Sequence, residues 1–315
     1  MPFIIVLKRM FKTSIYYNYF FEIIMNTIVQ GREKKAPEQY KKKCSLGKGA
    51  FGQAYLVQGQ TTGMDLVIKE IDLNEMEEKD QKDALKEAKV MQMLHHTNIV
   101  KFYDVYKTKK KKLCIVMEYA DGGDLNKIIK QKKKQLKETG DTSVYFPEDD
   151  IVRIFACICD AIGLMHNREK LGKRIIHRDI KSHNIFLMKD QTVKLGDFGI
   201  ARILESTKSR ALSVIGTPYY FSPEMCKGEE YDEMTDIWSL GILLYEMCQL
   251  EYPFKGKSMS ELTNAIISQK PKAIPEIYSR ELKDIINGLL KKDPKKRPNI
   301  QQILRHPKIK AALVK

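Results

Sequence analysis

Apolar residues change period partway along this chain, and the change divides it in two. Over residues 40–71 they alternate with polar ones, and Gly47, Gly49 and Gly52 punctuate the first hairpin, so short strands are predicted. Strand patterns return over 99–106 and 113–118. Between them, 77–94 reads as a helix, because Ala84, Leu85, Ala88, Met91 and Leu94 fall close to a 3.6-residue period. Downstream the period is helical. Ile151, Ile154, Phe155, Ile158 and Ile162 mark a long helix over 149–168, and further helices are predicted over 236–249, 259–269, 280–291 and 300–304. The pattern predicts an α+β chain with a small β-rich lobe, a hinge near 117–122 and a larger, mainly helical lobe.

The 315 residues suffice for two lobes with a sizeable core, and 43% hydrophobic with 30% charged residues excludes wholesale disorder. The formal charge of +15 changes the picture little, because much of it lies in runs at 107–112, 130–137 and 291–297. The first run is expected to cap a tight strand–strand connection, and the second to occupy a solvated helix end and loop. No aromatic residues interleave with these lysines, so no nucleic-acid partner is expected. The six cysteines contain no C-x-x-C pair. Cys157 and Cys159 point about 200° apart on their helix and cannot share a metal ion, so reduced core thiols are expected.

The first residues are unusual. An apolar run, Met1 to Leu7, precedes Lys8 and Arg9, and an aromatic-rich run follows at 16–21. No uncharged stretch approaches the roughly 18 residues of a membrane span, and a signal peptide would place its basic residues before the apolar run. Met25 is the preferred start, with a membrane-surface anchor as the alternative reading of the upstream segment. Residues 1–38 are expected to be an N-terminal extension, disordered or a mis-assigned start.

Chemistry concentrates at His177-Arg178-Asp179-Ile180-Lys181-Ser182-His183-Asn184 and at Asp197-Phe198-Gly199. A carboxylate, a lysine and an amide at these offsets, with a second carboxylate downstream, are the parts that phosphoryl transfer from a nucleotide needs. Asp179 is the candidate base for an incoming hydroxyl, Lys181 the candidate neutraliser of the transferred group, and Asn184 and Asp197 the candidate magnesium ligands. His177 is read as a packed ring, because a better-placed carboxylate lies two residues away. Arg178, beside the base, carries a guanidinium suited to a phosphate on the loop that follows, and Ser213 is the first candidate for that phosphate.

Earlier, Gly47-Lys48-Gly49-Ala50-Phe51-Gly52 offers backbone N–H groups that can lie close over phosphates. A dinucleotide turn of this spacing would open a helix, whereas Gln53-Ala54-Tyr55-Leu56-Val57 continues as a strand. Lys69 ends Leu66-Val67-Ile68-Lys69, a strand that should bury Leu66 and Ile68 on one face and turn Val67 and Lys69 to the other. A lysine on such a face needs an anionic partner, and Glu87 on the next helix is the candidate.

Together with Gly122-Gly123-Asp124-Leu125, Asn184-Ile185-Phe186-Leu187, Gly216-Thr217-Pro218-Tyr219-Tyr220-Phe221-Ser222-Pro223-Glu224 and Asp236-Ile237-Trp238-Ser239-Leu240-Gly241, these strings resemble eukaryotic protein kinases of the Ser/Thr type, and within them the NIMA-related (Nek) group. The resemblance implies a bilobal kinase domain over 39–308, with a β-rich lobe at 39–117, a hinge at 118–122, a helical lobe at 123–308 and a short tail at 309–315. It implies ATP and Mg2+ as cofactors, with adenine against Leu46, Val67 and Leu187, backbone hydrogen bonds near Glu118 and Ala120, Ala54 beside the base and Met117 as gatekeeper. Lys69 and Glu87 would pair over the α- and β-phosphates, and Met91, Phe102, His177 and Phe198 would stack as a hydrophobic spine. Thr217 would hydrogen-bond Asp179 and Lys181 beside the acceptor, and Glu224 would pair with Arg297 in the core. Protein substrates and a cytoplasmic setting, with cytoskeletal, centrosomal or ciliary association, are implied as well. Two stretches depart from the family pattern, 131–146 and 169–173, and are expected to be surface loops. Two rival readings are weaker. A pseudokinase scaffold would lack one of the key residues, and a small-molecule kinase would lack the 216–224 segment.

Overall fold

The computed structural model describes residues 40–49, 52–74, 81, 94–167, 171, 174–196 and 218–314. Five strands, β1 (Tyr40–Gly49), β2 (Gly52–Gly59), β3 (Asp65–Asp72), β4 (Phe102–Lys107) and β5 (Lys112–Glu118), form one antiparallel sheet in the order β1-β2-β3-β5-β4. The strand period explains its two faces. Leu66 and Ile68 are buried with Val57, Cys114 and Val116 in a cluster on one side, while Val67 packs into the main core on the other. The lysine run at 107–112 closes the β4–β5 turn as expected: Thr108 N–H donates to Lys112 O at 2.8 Å and Lys111 N–H to Thr108 O at 3.0 Å.

The rest is helical: α1 (Leu125–Thr139), α2 (Glu148–Met165), α3 (Pro223–Lys227), α4 (Met234–Gln249), α5 (Met259–Ser268), α6 (Arg280–Leu289), α7 (Ile300–Arg305) and α8 (Pro307–Leu313), with a short hairpin of β6 (Ile185–Leu187) and β7 (Val193–Leu195). In α4 all but two of the residues are buried, so it is the hydrophobic post around which α2 and α6 pack. Most of the expected helix over 77–94 lies outside the described residues; Gln81 is helical, and Leu94 is not. The final helix α8 packs on α2 with Ile309 fully buried, so helical packing continues past residue 308 to Leu313.

The stretch 131–146 departs from its expected form. It is not a surface loop: α1 continues to Thr139 and ends on Gly140, which takes φ 67 as its left-handed cap. Lysine and glutamine are strong helix formers, and Ile128, Ile129 and Leu136 keep one inner stripe against the core. The segment after it also turns inward, with Val144 and Phe146 buried and Lys132 Nζ donating to Val144 O at 2.7 Å. The second lysine run therefore lies within a helix rather than at its end. Of the other stretch, 169–173, only Leu171 is described; it is helical and packs against the core.

Glu224 and Arg297 meet as expected. Arg297 Nη1 donates to Oε1 and Nη2 to Oε2, both at 2.7 Å, and the remaining guanidinium hydrogens reach Met234 O, Lys291 O and Lys292 O. Burial alone would raise the Glu224 pKa, but the Arg297 hydrogen bonds outweigh it and hold the carboxyl below the usual glutamate range. Its contribution to stability is thus present above that range and lost as the pH falls through the depressed folded value. Removing one partner leaves a buried, uncompensated charge, so Arg297→Met is expected to cost about 3–5 kcal/mol in chemical denaturation. A loss under about 1 kcal/mol would show that the pair does not hold α3 against α6 and α4.

Candidate active site

The loop after α2 is held from below. Asp236, fully buried in the first turn of α4, accepts the backbone N–H of His177 at 2.8 Å and of Arg178 at 2.9 Å, and its Oδ2 lies 2.9 Å from His166 Nε2. Burial would raise this carboxyl, yet the His166 hydrogen bond and the His177 N–H hold it below the usual aspartate range. Between these two anchors Arg178 adopts φ 67, a left-handed conformation that a non-glycine residue keeps only where its surroundings impose it.

That kink aims the next residues at one another. Lys181 Nζ lies 3.0 Å from Asp179 Oδ1 and 2.8 Å from Oδ2, and Asn184 Nδ2 donates to Asp179 Oδ2 at 2.8 Å and to Asp179 O at 2.7 Å. His177, at 1% exposure, accepts from Asp179 N–H through Nδ1 at 3.3 Å, which makes it a packed loop-former as read from the sequence. With Nδ2 of Asn184 engaged, its amide oxygen is the atom left for a hard cation, and Mg2+ takes one or two protein oxygens plus substrate phosphates. An amide oxygen is a hard donor of the kind that ion takes. Asp197, the second expected ligand, lies outside the described residues, as do Ala50, Phe51, Glu87, Met91, Phe198, Ser213 and Thr217.

The sheet supplies the facing wall. The register sets Ala54 opposite Lys69, and Val67 opposite Met117, so Ala54, Val67, Lys69 and Met117 share one face. Gly49 pairs with Gly52, which joins β1 directly to β2, and a bulge between Ser45 and Gly47 lets Gly47 take φ 154. Gly52 is required sterically, because a Cβ there would collide with the carbonyl oxygen of Glu70. Lys48 and Leu46 are exposed, the latter at 45%, an apolar side chain in the position expected to cover a base. After β5 the chain is stitched to β6, where Leu187 N–H donates to Gly123 O at 2.9 Å and Gly122 leaves no room for a Cβ beside Leu187 O. Leu187 is thereby brought beside the connecting segment that carries Ala120. Glu118 uses its N–H on Lys101 O at 2.8 Å and its carboxylate on Lys194 at 3.0 Å, and neither contact engages its carbonyl.

A second polar layer has no counterpart in the sequence reading. Ser182 N–H donates to the Tyr220 hydroxyl at 3.1 Å, Ser182 Oγ to Glu246 Oε1 at 3.2 Å, Asn126 Nδ2 to Ser182 Oγ at 3.1 Å, and the Tyr220 hydroxyl to Glu246 Oε2. Burial pushes both the Glu246 carboxyl and the Tyr220 phenol up. Beyond the 236–241 string, the signal that the sequence offers for Asp236 and Glu246 is a pair of carboxylates in a helix that is otherwise uncharged.

Residues 40–309 match the family model described as Protein kinase domain. The chain is 41% identical over 267 residues to serine/threonine-protein kinase Nek1 of Mus musculus, covering 85% of this chain and 21% of the mouse protein. It is 42% identical over 264 residues to Nek5 of Homo sapiens (84% and 35%) and 38% identical over 273 residues to Nek2 of Homo sapiens (86% and 60%). The chain belongs to the protein kinase family. Its kinase domain is Nek-like, of the serine/threonine type. It spans about a fifth to about three-fifths of the length of these relatives.

Two substitutions test this geometry. Asp236→Asn leaves one of two loop N–H groups without an acceptor, so it should cost about 1–3 kcal/mol in denaturation and lower kcat more than it raises the KM for ATP. Unchanged kcat would separate the loop's shape from the Asp236 carboxylate. Gly52→Ala forces β2 away from β3 and should cost about 1–3 kcal/mol with weaker nucleotide binding, read by thermal unfolding and ATP titration.

Proposed function

We propose that this chain transfers the γ-phosphate of ATP to Ser and Thr hydroxyls of proteins, as a Nek-like kinase whose activation loop is switched by phosphorylation. The observation that carries the reading is the Asp179–Lys181–Asn184 cluster, locked onto α4 through Asp236. Asp179 orients the acceptor hydroxyl and takes its proton as the new O–P bond forms and the bond to ADP breaks. Lys181, beside Asp179, offsets the charge on the phosphoryl oxygens during that exchange. Asn184 and Asp197 would hold Mg2+, which would supply positive charge against the nucleotide phosphates when bound. Lys48, Ala50 and Phe51 with the loop glycines would cover the phosphates, Lys69 with Glu87 would position them, and Thr217 would join Asp179 and Lys181 beside the acceptor.

Control by phosphorylation is supported by Arg178. Its Nε is buried without a hydrogen-bond partner among the described residues, and a phosphate on Ser213 would provide one. With the hinge at 118–122, a nucleotide would lie between sheet and helices. A cytoplasmic setting, with cytoskeletal, centrosomal or ciliary association, fits six free cysteines, and no described helix is long and apolar enough to cross a membrane.

The test is radiolabelled phosphate transfer from Mg-ATP to casein and to the chain itself. Asp179→Asn should lower turnover by about 10²–10⁴-fold with ATP binding near normal. Equal activity in that variant would overturn the assignment of the base, and label on Ser213 would support loop control.

A further inference from the structure

Helix α1 leaves the connecting segment beside the catalytic loop and carries a row of lysines. Lys127, Lys130, Lys134 and Lys137 fall within an arc of about 80° on a 3.6-residue helix and are exposed, Lys127 at 79% and Lys134 at 75% of their side chains. The row begins at the catalytic loop. Asn126 bonds Ser182, and Lys130 lies within electrostatic reach of His183, the residue between Ser182 and Asn184, and of Glu246.

The row is only partly neutralised. Asp124 caps α1 and lies 3.1 Å from Lys127 Nζ, and Glu138 lies 3.7 Å from Lys134 Nζ. Lys130 and Lys137 have no carboxylate within ion-pair distance among the described residues. Their inner neighbours Lys132 and Lys133 are engaged elsewhere, on Val144 O and Phe146, and on Glu251. A lysine that serves only solubility needs no alignment with a site. These four are aligned, and the helix that carries them packs on the loop that bears Asp179.

We propose that the exposed face of α1 is a docking surface for an acidic tract of the protein substrate, next to its acceptor residue. The inference rests on the kinase reading above. The stripe from Lys127 to Lys137 spans about 15 Å at 1.5 Å per residue, which an extended peptide covers in four or five residues at about 3.3 Å each. A cluster of Asp, Glu or phosphorylated residues of that length, beginning close to the acceptor, matches both the charge and the reach. Each exposed contact is weak, so affinity comes from several acting together and falls with salt.

The experiment compares four serine peptides of equal length, with four Glu residues on the N-terminal or the C-terminal side of the acceptor and, for each, a counterpart with Gln in their place. Wild type and Lys130→Gln/Lys134→Gln/Lys137→Gln, both preincubated with Mg-ATP, are assayed at two salt concentrations. The acidic peptide should show a KM lower by on the order of tenfold on one flank, and the triple variant should abolish the difference while leaving kcat and the KM of the neutral peptide unchanged. Equal KM values for acidic and neutral peptides on both flanks in wild type, or a preference that survives in the variant, overturn the proposal. Transfer to none of the peptides would overturn the kinase reading instead. Fluorescence anisotropy of the labelled acidic peptide then decides the surface: binding lost in the triple variant supports it, and equal binding overturns it. Preferential capture of a single-stranded oligonucleotide, lost in the variant without any peptide preference, would assign the stripe to nucleic acid and overturn it as well.

Discussion

A single buried carboxylate imposes the shape of the catalytic loop. Asp236 sits where a dehydrated charge is costly, and it is kept ionised because three donors converge on it. Two of those donors are consecutive backbone N–H groups, and accepting both fixes the chain direction at His177 and Arg178. The left-handed turn at Arg178 follows from that capture, and the closeness of Asp179, Lys181 and Asn184 follows from the turn. Strain at one residue is thus offset by an ionic cluster beneath it, and Asp179, Lys181 and Asn184 inherit their positions from a helix to which none of them belongs.

The same helix organises the rest of the lobe. Asp236 near its start holds the catalytic loop, Glu246 near its end holds Ser182 and Tyr220, and Trp238 between them lies under the Arg297 guanidinium that pairs with Glu224. The loop, the turn at Tyr220 and the C-terminal helices therefore converge on one rigid element. The sheet side uses a different device. There, glycines at 52 and 122 remove side chains where two backbones come closer than a Cβ allows, so the covering hairpin and the connecting segment are positioned by contact between main chains.

Much of this is legible in the chain because the signals are local. The alternation in β3, the glycine-punctuated hairpin and the motif around Asp179 each lie within about ten residues. The helix limits predicted for 259–269 and 280–291 differ from those observed by one or two residues. Segment 131–146 is the counter-example: departure from a family pattern suggests a loop there, although its own helix formers and the Ile128, Ile129 and Leu136 stripe argue for helix. The Asp236–His166 and Glu246–Ser182 contacts join residues 70 and 64 positions apart, and no local pattern reports a partner at that distance. The Glu224–Arg297 pair, 73 apart, is legible only through resemblance to a family.

The hydroxyl of Tyr220 couples two segments that are distant in sequence. It belongs to the turn at 218–220, yet it accepts the backbone N–H of Ser182, in the middle of the catalytic loop. The loop's own main chain is therefore incompletely satisfied until that turn is seated. Seating of that turn and completion of the loop's own hydrogen bonding then behave as one folding unit.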